Sequence, residues 1–184
     1  MSDHKIYRTP SAYSYPLLIK QLLNTLELRH PDQEIVYADR LRYTYRDFKK
    51  RVARLANLLT SLGVREGDTV AVLDWDSHRY LECFFAIPMI GAVLHTVNIR
   101  LSPDQILYTM NHAGDDLVLI NKEFLPLMAP ILGRIETVKD WVVISESADN
   151  ADSAIQFAGE YEALLDTQPE VHDFADFDED LRAT

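Results

Sequence analysis

Between Thr69 and Ile144 the chain repeats one unit: a short apolar run, a helix-length stretch, then another short apolar run. The runs are Thr69–Asp74 (TVAVLD), Ala92–Val97 (AVLHTV), Leu117–Ile120 (LVLI) and Trp141–Ile144 (WVVI). Their apolar cores do not alternate with polar residues, as expected of strands whose sheet is covered by helices on both faces. The intervals carry helix punctuation: Ser77 can cap a helix from His78 to about Met89, stopped by Gly91. Ser102-Pro103-Asp104 opens another, closed near His112 by Gly114. Strand, crossover helix and strand in succession predict an α/β fold with right-handed crossovers. The expected architecture is a partial doubly wound, mainly parallel sheet with flanking helices.

Upstream, Glu34–Ala38 (EIVYA) and Leu41–Thr44 (LRYT) are β-prone runs across Asp39-Arg40, which predicts a hairpin. Thr44 with Asp47 three residues on forms a capping box in which Asp replaces the usual Glu. Phe48, Val52, Leu55, Ala56, Leu59 and Leu62 then share one helical face, and Gly63 supplies the stop. Pro16 is placed at the first turn of an earlier helix bearing Leu18, Leu22 and Leu26.

Charge divides the chain. Residues 145–184 hold twelve acids and a single basic residue, Arg182, which accounts for the whole net charge of -11. The remainder is neutral, so the chain has no basic footprint for nucleic acid. A boundary at 145 is expected: an α/β unit over 1–145, then an acidic connecting segment over 146–184. That segment ends in phenylalanine alternating with acid, Val171–Asp180 (VHDFADFDED). It reads either as an interaction motif that folds on a partner or, the preferred reading, as a stretch whose packing partner is missing sequence. On that reading 146–184 is the labile part. No apolar stretch is long enough to span a membrane, and Cys83 has no second cysteine to pair with, so a reduced, cytoplasmic protein is expected.

Few residues offer chemistry. Asp74 and Asp76 flank Trp75 at a strand end, where α/β proteins place ligand groups. Two carboxylates there can hold magnesium, or Asp76-Ser77 can serve as a helix cap. The histidines (His4, His30, His78, His95, His112, His172) show no metal-ligand spacing with a third donor, and Cys83 precedes Phe84-Phe85 as a core thiol would. No G-x-G-x-x-G, G-x-x-x-x-G-K-[ST] or G-x-S-x-G pattern is present.

At Gly63–Val72 (GVREGDTVAV) the chain resembles the adenylate-forming superfamily, in particular AMP-forming acyl-CoA synthetases. Leu41–Phe48, Arg54-Leu55-Ala56, Asp76–Ala86 and Gly91-Ala92-Val93 are similar to successive motifs of that family. Leu94–Ala113 (LHTVNIRLSPDQILYTMNHA) is similar to the branch acting on medium- and long-chain fatty acids and short thioether acids. Asp76 and Ile99 depart from the family's more frequent Asn and Pro.

The resemblance implies the first part of a large N-terminal domain. The parent would convert a fatty acid or related carboxylate and ATP to acyl-adenylate and pyrophosphate, then to acyl-CoA and AMP, using ATP, Mg2+ and CoA. In that family a segment similar to Phe174–Thr184 precedes the phosphate loop, and the motifs for adenine, ribose and catalysis lie later. No catalytic, cofactor-binding or metal residue is therefore assigned on this chain, and none of those cofactors is expected to bind it alone. In some relatives the N-terminal segment contributes to a homodimer, which becomes an expectation here. The alternative is a stand-alone α/β binding or receiver-like module without catalysis.

Overall fold

The computed structural model describes residues 9–13, 15–146, 154–178 and 180–184. Two helices and a hairpin lead in. Helix α1 covers Ile19–Arg29, strands β1 (Glu34–Tyr37) and β2 (Leu41–Thr44) pair antiparallel, and α2 runs Tyr45–Ser61. The hairpin turns through Ala38 and Asp39, both in the left-handed region. Helix α1 starts three residues later than Pro16 suggests. The Pro16 carbonyl is taken by the Leu18 amide and the Gln21 side chain, a closed turn that precedes the helix.

Helix α2 begins in the anticipated capping box. The Thr44 hydroxyl accepts from the Asp47 amide, and the Asp47 carboxylate accepts from the Thr44 amide. That reciprocal pair satisfies two otherwise orphaned donors. Thr44→Ala is expected to cost about 0.5–2 kcal/mol of unfolding free energy. Denaturant titration checks this, and a loss below a few tenths would make the box ornamental.

The sheet follows as β3 (Thr69–Leu73), α3 (His78–Met89), β4 (Val93–Thr96), α4 (Pro103–Ala113), β5 (Leu117–Asn121), α5 (Leu125–Met128) and β6 (Asp140–Ile144). A two-residue strand β7 (Gly159–Glu160) and helix α6 (Tyr161–Asp166) complete the order. The strands lie β4-β3-β5-β6-β7, all parallel. Winding runs from β3 outward to β4, then reverses across β3 to β5. Right-handed crossovers in opposite directions place their helices on opposite faces. Accordingly Val70 and Val72 face α3 in a core with Cys83, Ala86 and Ile87. Ala71 and Leu73 face α4 in a second core with Ile106 and Met110. The expected doubly wound α/β sheet is therefore present.

Two features differ from the sequence reading. A fifth strand, β7, extends the sheet, and the acidic residues beyond 153 are not without partners. Tyr161 and Leu165 are fully buried, and α6 packs on α2. The charge count by segment missed this because the compensating cations, Arg51, Arg54 and Arg79, lie more than 80 residues earlier. Part of the acidic stretch, residues 147–153, lies outside the described residues.

Candidate functional site

Where winding reverses, the connections leave β3 and β5 on opposite faces and open a crevice at the strands' carboxyl ends, the usual ligand position in such sheets. Asp74 stands there, and the structure shows what it does. One carboxylate oxygen takes the Ser77 hydroxyl; the other takes the Asn121 side-chain amide at 2.7 Å. Ser77 in turn caps α3, accepting from the Arg79 and Tyr80 amides. Asp74 thus ties the end of β3 to the start of α3 and to the end of β5. Trp75, next in sequence, is exposed, with its ring 5.0 Å from that of Phe124 and its indole N–H donating to Glu123.

Asp76 is solvent-exposed beside this lock. With both Asp74 oxygens engaged, the pair does not present the open carboxylates that a magnesium ion requires. Among the described residues, no three His, Cys, Asp or Glu side chains converge as metal ligands.

The strongest concentration of charge lies elsewhere, between α2, α3 and α6. Glu82 is fully buried in α3. Its carboxylate accepts from Arg51 Nε at 2.6 Å and Nη2 at 3.2 Å, Tyr161 Oη at 2.7 Å and Tyr43 Oη at 3.4 Å. Arg51 continues to Glu162 with a second, two-pronged contact at 2.8 and 2.9 Å. Glu162 also receives Arg79 Nε at 2.7 Å, and Arg79 reaches Glu146 at 2.9 Å. His78 Nε2 lies 3.6 Å from Glu162, while its Nδ1 is buried without a hydrogen-bond partner. Burial pushes the Tyr43 hydroxyl up, and neighbouring Glu82 adds to it.

A cavity of about 320 Å³ opens beside this hub, lined in part by Tyr37, Arg40, His78 and Glu146. Its cations and carboxylates already neutralise one another, so the arrangement locks elements together.

Burial alone would raise Glu162, but donors from His78, Arg51 and Arg79 outweigh it and hold the carboxyl well below the usual range. Arg79 holds Glu146 low as well. A carboxylate depressed in the native state contributes stability that is complete above its unfolded pKa and lost as pH falls through the native value. Stability should therefore fall steeply below about pH 4.3, the unfolded glutamate value. Arg79→Met should flatten that slope. Denaturation midpoints measured across this range test it, and a wild-type midpoint that stays level would refute the coupling.

The other singled-out residues fall into quiet places. Cys83 is buried, and burial raises its thiol far from nucleophilic use. His95, opposite Ala71 of β3 in the register, reaches from β4 to the buried Asp115 at 2.8 Å. His112 stacks on Tyr108, and His172 bonds Asn57 at 2.7 Å. His30 closes α1, its amide donating to Leu26; His4 lies outside the described residues. The hub residues Arg51, Arg79, Glu82 and Glu162 escaped the sequence reading. The available signal was Glu82 sharing a helical face with Cys83 and Ala86, a charge where only a paired one can be buried.

Comparison with known proteins places this geometry. The chain matches the model of a family described as "AMP-binding enzyme" over residues 26–178. It is 47% identical over 107 residues to a long-chain-fatty-acid–CoA ligase of Thermus thermophilus, covering 58% of this chain and 20% of that protein. It is 31% identical over 173 residues to a 3-methylmercaptopropionyl-CoA ligase of Ruegeria lacuscaerulensis, covering 92% and 32%. The structure superposes on an anthranilate CoA ligase solved with anthranoyl-AMP at a TM-score of 0.77, with 24% identity, 89% of this chain and 30% of the other. The chain thus spans between about a fifth and a third of the length of these curated relatives. With most of its residues inside the family match, this chain belongs to the AMP-binding enzyme family.

Proposed function

We propose that this chain serves as the first part of an ATP-dependent acyl-CoA ligase. The whole protein would join a medium- or long-chain fatty acid, or a short thioether acid, to CoA through an acyl-adenylate with release of pyrophosphate. The observation that carries this reading is the family match across residues 26–178, in a chain whose matched relatives are CoA ligases about three times its length. ATP, Mg2+ and CoA would be used by the whole protein. In this reading these residues supply a parallel sheet whose strand ends are tied together at Asp74, and the chemistry falls to residues outside them. We place the protein in the cytoplasm, supported by a lone cysteine that cannot close an internal disulfide; homodimer formation belongs to the same proposal.

Adenylyl transfer rests on positioning and on neutralising phosphate charge. The 184-residue chain, purified free of host ligase, is therefore expected to show no carboxylate-dependent ATP–pyrophosphate exchange. A longer protein containing it is expected to show exchange, with kcat/KM greater for decanoate or 3-methylmercaptopropionate than for acetate. Exchange by the short chain, or an optimum at acetate, would overturn the respective half of the proposal.

A further inference from the structure

Beyond α6, residues 169–178 run as a strap without helix or strand across α2 and α1 towards the end of α3, and after a turn closed by the Leu181 amide on the Asp178 carbonyl the chain reaches the far edge of the sheet. The body holds this strap by its backbone. Asn57 Nδ2 donates to the carbonyls of Pro169 and Val171, each at 3.0 Å. Lys20 Nζ donates to those of Phe174 and Ala175 at 2.8 and 3.2 Å. The Leu94 amide, on the outer edge of β4, donates to the Ala183 carbonyl at 2.9 Å. Five strap carbonyls are thus read by three body residues, a mode that recognises an extended chain more than a particular sequence.

Side chains add direction. His172, Phe174 and Phe177 turn inward and are half-buried, while Asp173, Asp176 and Asp178 face solvent. Because Asn57 Nδ2 is a donor here, its Oδ1 accepts from His172 Nδ1, which fixes the imidazole tautomer. Phe174 packs against the core cluster that contains Leu23 and Met89. Phe177 lies on Gly91, where a Cβ would stand 3.0 Å from its ring. Lys20 also pairs with the Asp176 carboxylate.

The groove is not filled by its occupant. Cavities of about 490 and 130 Å³ remain beside Phe174 and Phe177 respectively.

We infer that the face formed by α1, α2, α3 and the β4 edge is a docking groove for an extended acidic peptide with paired aromatic anchors. Residues 169–184 are its resident occupant, and the same segment of a second copy is the partner it fits. The phenylalanine–acid alternation is then the ligand motif, bound in cis. This inference does not depend on the ligase reading.

The test uses the full 184-residue chain and a fluorescently labelled peptide of residues 169–184. Phe174→Ala with Phe177→Ala in the chain weakens the resident strap and leaves Asn57, Lys20 and Leu94 intact. That variant should bind the peptide at least about tenfold more tightly than wild type, whose groove is occupied. Asp176→Lys, an exposed change that sets a cation beside Lys20, should tighten binding in the same direction and serves if the double variant does not fold. Adding Asn57→Ala and Lys20→Met to either should reverse the gain. A peptide with both phenylalanines replaced by alanine should bind at least about tenfold more weakly. Equal affinity for wild type and both strap variants, or an alanine peptide that binds as well as the native one, would overturn the inference.

Discussion

Arg51→Met should remove about 3–5 kcal/mol of unfolding free energy, a large share of the roughly 5–15 kcal/mol available to a domain. The reason is the position of its partners. Glu82 is fully buried in the middle of α3 and has Arg51 as its cation, and Glu162, drawn inward at the start of α6, shares that guanidinium and also pairs with Arg79. Arg51 is itself mostly buried, with its side chain 22% exposed, so its methylenes are already part of the packing. Methionine retains that volume and removes the charge, leaving Glu82 with two phenol donors and no cation. An uncompensated carboxylate in that position must take up a proton or draw in water. Glu82→Gln added to the Arg51→Met variant should therefore restore part of the loss, and the gap between the single and double variants should narrow as pH falls. Denaturant unfolding at neutral and acid pH measures both. If Arg51→Met costs under about 1 kcal/mol, as a surface ion pair would, the hub is not a structural lock.

Tyr161→Ala should cost a comparable amount, about 3–5 kcal/mol, for a different reason. Tyr161 is the first residue of α6, is fully buried, and is among the largest side chains in the core. Its ring anchors a helix of 6 residues that could not persist alone. Losing it should therefore be felt locally as well as globally. Proteolytic cleavage within residues 161–184 should become the earliest event in the variant and stay slow in wild type. Tyr161→Phe separates the two contributions: it keeps the ring and removes only the 2.7 Å hydrogen bond to Glu82, with an expected loss of about 1–2 kcal/mol. Identical early cleavage in wild type and Tyr161→Ala would mean that α6 does not depend on this anchor.

The parts of the fold that were legible are those whose cause lies within a few residues. The capping box at Thr44 and Asp47, the cap at Ser77, the Ser102-Pro103 start and the left-handed Gly114 end are all local events. So are the apolar runs that became β3 to β6. Strand β7 is two residues long and exists because β6 offers an edge to Gly159 and Glu160, which no local pattern announces. The hub was illegible for a related reason. Arg51 and Glu162 are separated by 111 residues, and neither sits in a motif. Asp74 misled in the opposite way: its place at a strand end carries a functional expectation, yet Ser77 and Asn121 consume both of its oxygens. Sequence could show that a carboxylate stands in the crevice, but not that an asparagine from the next strand across would close it.

The strap also sets a timetable for synthesis. Leu94 at the sheet edge and the Ala183 carbonyl that receives its amide are about 90 residues apart. At translation speeds of about 5–20 residues per second, β4 waits roughly 4–18 seconds for that partner. For that interval a growing chain has β1 to β4 available but carries an uncovered strand edge and an empty groove over α1, α2 and α3. The nascent protein is thus most open to unwanted strand pairing while residues 95–183 are being made. Slow codons between those two points would lengthen the exposure, and fast ones would shorten it.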